Sequence, residues 1–107
     1  MALDILITDS HGDTEKIARL FIEDYEYIIA KIEVSDDLHL LKSILKNFYG
    51  DSEVYMDDLE NLKSEIQSFE ETFKLSYPKT VADFITEFLI IVEYAIINRK
   101  TVKLVGD

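Results

Sequence analysis

The sequence predicts an α/β fold: a small three-stranded, largely parallel sheet packed with about four helices, in the order β-α-β-α-α-α-β. Two patterns lead there. Runs in which apolar and polar residues alternate stand near the start, near residue 30 and near the end of the chain. Between them lie segments whose apolar residues recur every three or four positions. Strands separated by helices favour parallel pairing, because a parallel pair needs a crossover long enough to hold a helix. The 107 residues make one globular domain, 1–107, and an apolar share of 48% is enough for one real core.

The first element is a strand at 3–8, where Leu3, Ile5 and Ile7 alternate with Asp4, Leu6 and Thr8. Asp9 to Gly12 form a turn, and a helix opens at Gly12 or Asp13 with Ile17, Leu20, Phe21 and Tyr25 on one face. Residues 27–34, YIIAKIEV, return to alternation: Ile28, Ala30, Ile32 and Val34 face one way, Lys31 and Glu33 the other. That is the second strand. Ser35-Asp36-Asp37 caps the next helix, since a short oxygen side chain accepts from unsatisfied N–H groups. Leu38, Leu41, Leu45 and Phe48 line that helix, and Gly50 ends it.

Asp57 or Asp58 opens a third helix, with Leu59, Leu62, Ile66, Phe69 and Phe73 repeating at 3, 4, 3 and 4. Pro78 breaks the chain, and Thr80 with Asp83 has the spacing of a capping box. The helix that follows runs to about Asn98. Its apolar residues, from Val81 through Phe84, Ile85 and Phe88 to Ile96, cover most of the circumference. Such a helix is central to the fold or is covered by a second copy of the chain. Thr101 to Val105 form the last strand.

Residues 6–18, LITDSHGDTEKIA, resemble two enzyme motifs. Asp-Ser-His-Gly is similar to the first metal-binding motif of metallophosphoesterases. A two-metal site needs several nitrogen and oxygen ligands per metal, and this chain has only His11 and His39. Its position between a strand and a helix is also similar to the phosphate loop of flavodoxins. Here Asp9 and Asp13 would oppose the anion, and three Gly are few for ligand loops. A calcium loop starting at Asp51 fails on spacing, because its sixth residue is Met56 and its twelfth is Leu62. No metal, no cofactor and no catalytic residue is expected. The chain reads as a non-enzyme, with Asp and Gly making a turn and Asp13, Thr14 and Glu15 suiting a helix start.

Charge is the strongest global feature: 22 acidic against 11 basic residues, a net charge of -11. Nucleic acid and anionic membrane are repelled by such a surface, and a cationic protein is steered in. The charge is concentrated. Residues 51–71 carry Asp51, Glu53, Asp57, Asp58, Glu60, Glu65, Glu70 and Glu71 against Lys63 alone. Helix capping accounts for two of these carboxylates and leaves the excess unexplained. Carboxylates mixed with Tyr49, Tyr55 and Met56 suit a steered protein–protein interface. The absence of Cys and of a basic segment at the N-terminus suits a cytoplasmic protein, and the apolar run 84–97, broken by Glu87 and Glu93, is too short and charged to span a bilayer.

Residues 34–50, VSDDLHLLKSILKNFYG, resemble the barstar-type ribonuclease inhibitors: strand, short polar cap, amphipathic helix, then an aromatic-Tyr-Gly turn into an acidic segment. The resemblance implies a small acidic inhibitor with a three-stranded parallel sheet and four helices. It places Tyr49 and Gly50 at the turn and Asp57 at the first inhibitory carboxylate. The expected function is an acidic immunity protein or antitoxin. It would neutralise a basic bacterial toxin, a nuclease, by covering its active site or substrate groove. Its binding residues would be Tyr49, Asp51, Glu53, Tyr55, Asp57, Asp58 and Glu60. The alternatives are a homo-oligomeric structural or regulatory protein, dimeric through the Phe84–Ile97 helix, and a phage-type nucleic-acid mimic.

Overall fold

The computed structural model describes residues 2–8, 14–35, 37–46, 50–73, 76 and 78–106, with the backbone alone at 14–17. The elements are β1 (Ala2–Thr8), β2 (Thr14–Phe21), α1 (Ile22–Glu33), α2 (His39–Lys46), β3 (Asp51–Val54), α3 (Met56–Phe73), α4 (Lys79–Asn98) and β4 (Thr101–Gly106). Among the described residues the sheet has four strands in the order β2-β1-β4-β3, and every neighbouring pair is antiparallel. The expected three-stranded, largely parallel sheet is therefore overturned, and with it the sheet that the resemblance to barstar-type inhibitors implied.

Two element types were exchanged. Of the helix expected from Gly12 or Asp13 through Tyr25, residues 14–21 are instead β2, an antiparallel neighbour of β1 with Ile5 opposite Ala18 and Leu3 opposite Leu20, and only Ile22 to Tyr25 are helical, at the start of α1. Ala18 and Leu20 are buried, while Arg19 and Phe21 are exposed, a period of two. The strand expected at 27–34 is the second half of α1. Of its alternating set, Ile28 and Ile32 are fully buried, but Ala30 is exposed and Val34 is 78% exposed. Burial every fourth residue is the signature of a helix. Ile28 and Ile32 satisfy both periods, so the local pattern was ambiguous and packing decided it.

β3 is the strand that residue type concealed. Asp and Glu have low strand propensity, and only Val54 of its four residues is buried. It forms because its backbone pairs with β4, residue 51 opposite 105 through 54 opposite 102. The apolar face of the sheet is built from Leu3, Ile5, Ile7, Ala18, Leu20, Val54, Val102 and Leu104, all buried.

The later helices agree with their periodicity. Leu59, Leu62, Ile66 and Phe69 of α3 are buried, and Phe73 packs half-buried with its ring centroid 5.0 Å from that of Phe69. α4 is central: it touches β1, β2 and β4 on one side and α1 and α3 on the others. Val81, Phe84, Ile85, Phe88, Ile91, Val92 and Ala95 are buried there. Among the described residues no polar or charged side chain is buried.

The helix starts differ from the expected caps. α4 opens on Pro78, whose carbonyl accepts from Ala82 at 3.0 Å, with no side-chain cap. Thr80 does not form a capping box with Asp83. Its hydroxyl donates to Asp24 of α1 at 2.8 Å and ties the two helix starts together. α2 is capped from a distance. The Glu65 carboxylate of α3 accepts from the Leu40 N–H at 3.2 Å and the Leu41 N–H at 2.8 Å. Among the described residues the Ser35 hydroxyl takes a long contact from the Asp37 N–H, at 3.5 Å, and Asp36 and Phe48 lie outside the described residues. α2 is described to Lys46, residues 47–49 before the expected end at Gly50 lie outside the described residues, and the carbonyl of Gly50 accepts from the Gly106 N–H at 2.9 Å.

Candidate protein-binding site

The acidic segment folds as an edge strand running directly into a helix. β3 closes one side of the sheet, Tyr55 joins it to α3, and the Tyr55 carbonyl accepts from Asp58 and Leu59 at 2.9 and 3.2 Å. Val54 and Leu59 are buried and anchor the two sides of the junction. Between and beyond those anchors, Asp51, Glu53, Tyr55, Asp57, Asp58 and Glu60 are all exposed. Six of the seven expected binding residues thus stand on one short stretch of surface. Tyr49 lies outside the described residues, as do Asp9, His11 and Asp13 of the loop that resembled enzyme motifs.

The carboxylates have different local reasons. Asp57 and Asp58 occupy the first turn of α3, where they complement the partial positive charge of the helix N-terminus. They do not open the helix, since Tyr55 and Met56 precede them. Asp51 and Glu53 face away from the core on alternate positions of β3. Glu53 stands opposite Lys103 of β4, which in turn is opposite Leu6 of β1. Asp51 stands in the row of Val105, Asp4 and Arg19. In that row Arg19 grips Asp4 with two bonds, 2.6 Å from Nε and 3.2 Å from the guanidinium Nη2.

Tyr55 is 59% exposed and Met56 43%. The Tyr55 hydroxyl donates to the Glu53 carboxylate. That bond, followed by the carboxylate's charge, raises the phenol above its ordinary value of 10.0. The bond ties the aromatic ring to the carboxylate of Glu53, at an open depression of about 380 Å³ lined by Asp51, Ser52, Glu53, Tyr55 and Lys103.

A second acidic corner escaped the sequence. Phe21 is 52% exposed at the end of β2, and it lines a groove of about 200 Å³ in which Asp24, Asp83 and Glu87 stand with one cation, Arg19. No linear pattern could have found it, because the groove joins residues from β2, α1 and α4. Among the described residues, no three His, Asp or Glu side chains are placed to hold a metal ion, and no helix is long and apolar enough to cross a membrane. No protein-family model, curated protein or solved structure matches this chain.

Proposed function

We propose that the protein is an acidic inhibitor of the immunity or antitoxin type, which binds a basic toxin, a nuclease, and blocks its active site or substrate groove. The observation that supports this is the display of Asp51, Glu53, Asp57, Asp58 and Glu60 around the exposed Tyr55. Carboxylates collected on a rigid junction mimic the phosphates that a nuclease groove attracts. Long-range attraction speeds association, and desolvated pairs with Lys or Arg slow dissociation. The aromatic ring supplies the apolar anchor that charge alone lacks.

The test is capture from the native host with the immobilised protein, followed by a nuclease assay on what is retained. A basic nuclease is expected, inhibited by the parent protein. Reversing Asp57 and Asp58 to Lys opposes the α3 dipole and should cost about 1–2 kcal/mol of stability. It should weaken binding by about 2 kcal/mol or more, on the order of thirtyfold. A folded, charge-reversed protein that neutralises the nuclease as well as the parent would sink the proposal. A homodimer through α4 remains the second reading, supported by the exposed Ile90 and Ile97 one heptad apart on its outer side. Sedimentation of Ile90→Lys against the parent decides it, since a dimer held there would dissociate.

A further inference from the structure

We infer that the outer edge of β3 takes an extended cationic segment of the partner as a fifth strand of the sheet. This rests on the proposed binding of a basic protein and specifies how that protein is held. The ladder register carries the inference. The Gly106 N–H donates to the Gly50 carbonyl at 2.9 Å, and the pairing continues in step through Val54 opposite Val102. Backbone groups in an antiparallel ladder alternate in direction. Gly50, Ser52 and Val54 therefore direct theirs at β4, and Glu53 directs its N–H and C=O away from the sheet. β3 is an edge strand, with no strand on that side among the described residues. An exposed edge of this kind is a template for strand addition.

Side-chain chemistry selects the occupant. Asp51 and Glu53 project from alternate positions on the face opposite Val54. A strand laid along β3 would bring every second side chain beside them, so Lys or Arg at positions i and i+2 would meet both. Cation, Glu53 and Lys103 would then alternate in sign across three strands. The intervening residues would lie on the Val54 face, which favours small apolar side chains there. Tyr55 and Met56, exposed just past the strand end, offer an apolar platform for one further residue. A second copy of this chain is disfavoured on the same edge, because Asp51 and Glu53 would face like charge.

The probe is a capped, fluorescein-labelled peptide, Lys-Val-Lys-Val-Lys, with two controls. One carries N-methyl groups on alternate amides and keeps all its charge. The other has the three Lys adjacent. Anisotropy should show the alternating peptide binding at least tenfold more tightly than either control, and hydrogen exchange should show the Glu53 amide protected in its complex. Glu53→Gln, whose amide oxygen can still accept from the Tyr55 hydroxyl, should weaken binding chiefly by removing the charge. Glu53→Pro should weaken it further, since it also removes the outward N–H without touching the β4 ladder. Equal binding of the N-methylated peptide would overturn strand addition while leaving the acidic surface of the preceding proposal standing. No binding of the alternating peptide at low salt would overturn it too, and capture of the nuclease would still judge the preceding proposal separately.

Discussion

Glu65→Ala is expected to be strongly destabilising although the residue is half-exposed. α2 has eight residues, too few to hold helical structure alone. Its first-turn N–H groups at Leu40 and Leu41 are satisfied by one carboxylate, 25 and 24 residues away in sequence. A hydrogen bond to a charged group contributes about 1.5–3 kcal/mol, and an anion at a partly buried helix N-terminus contributes up to about 2 kcal/mol. These overlap, since both describe one carboxylate at one site, and water reaches the vacated donors. The net loss should be about 2–3 kcal/mol. With a urea dependence of about 1–2 kcal/mol per molar for a domain of this size, the unfolding midpoint should fall by about 1–3 M. The same helix supplies the control: Glu60→Ala and Glu71→Ala, both exposed, should stay within about 0.5 kcal/mol of the parent. Ser35→Ala tests the cap that the sequence suggested, and it should also be nearly neutral, because its contact is at 3.5 Å. A Glu65→Ala midpoint equal to the parent's, or a Ser35→Ala loss larger than the Glu65→Ala loss, would refute the tertiary cap.

Three further outcomes are expected. Phe88 is fully buried at the centre of α4, so Phe88→Ala should cost about 3–5 kcal/mol, seen as a large drop in melting temperature. Arg99 ends α4 in the left-handed region at φ 55° and ψ 52°, with Lys100 N–H returning to the Ala95 carbonyl. Arg99→Gly should therefore raise stability by about 0.5–1 kcal/mol, the relief of the Cβ clash less the extra freedom of Gly in the unfolded chain. Tyr55 has its phenol pKa raised by Glu53, so this pair favours the folded state below about pH 10 and the contribution disappears as pH climbs through the raised value. Absorbance titration should show Tyr55 ionising late, and Glu53→Gln should bring it back towards the ordinary range.

Local periodicity was sufficient where one residue set satisfied one period only. Leu59, Leu62, Ile66 and Phe69 fit a helix and no strand, and α3 is found there. Pro78 stops the chain before α4 for a reason internal to Pro, which lacks the N–H a continuing helix needs. The run at 3–8 and the run after Thr101 were legible for the same reason, since each buries alternate residues. The acidic surface was legible too, because like charges collected within ten residues cannot all be buried and so must be displayed.

Tertiary structure decided the rest. Ile28 and Ile32 are four apart and also an even number apart, so they fit helix and strand alike, and only their packing fixed α1. Strand direction was not encoded locally at all. It followed from β2 being a strand, which makes β1 and β2 neighbours joined by a short connection and leaves β4 to pair antiparallel on the other side of β1. Asp51 to Val54 became a strand because β4 offered hydrogen bonds, against the preference of its own side chains. The Glu65 cap, the Thr80–Asp24 tie and the groove beside Phe21 each join residues more than 20 positions apart. Such contacts depend on where helices and strands finally lie against one another, and a pattern confined to neighbouring residues carries no record of that geometry.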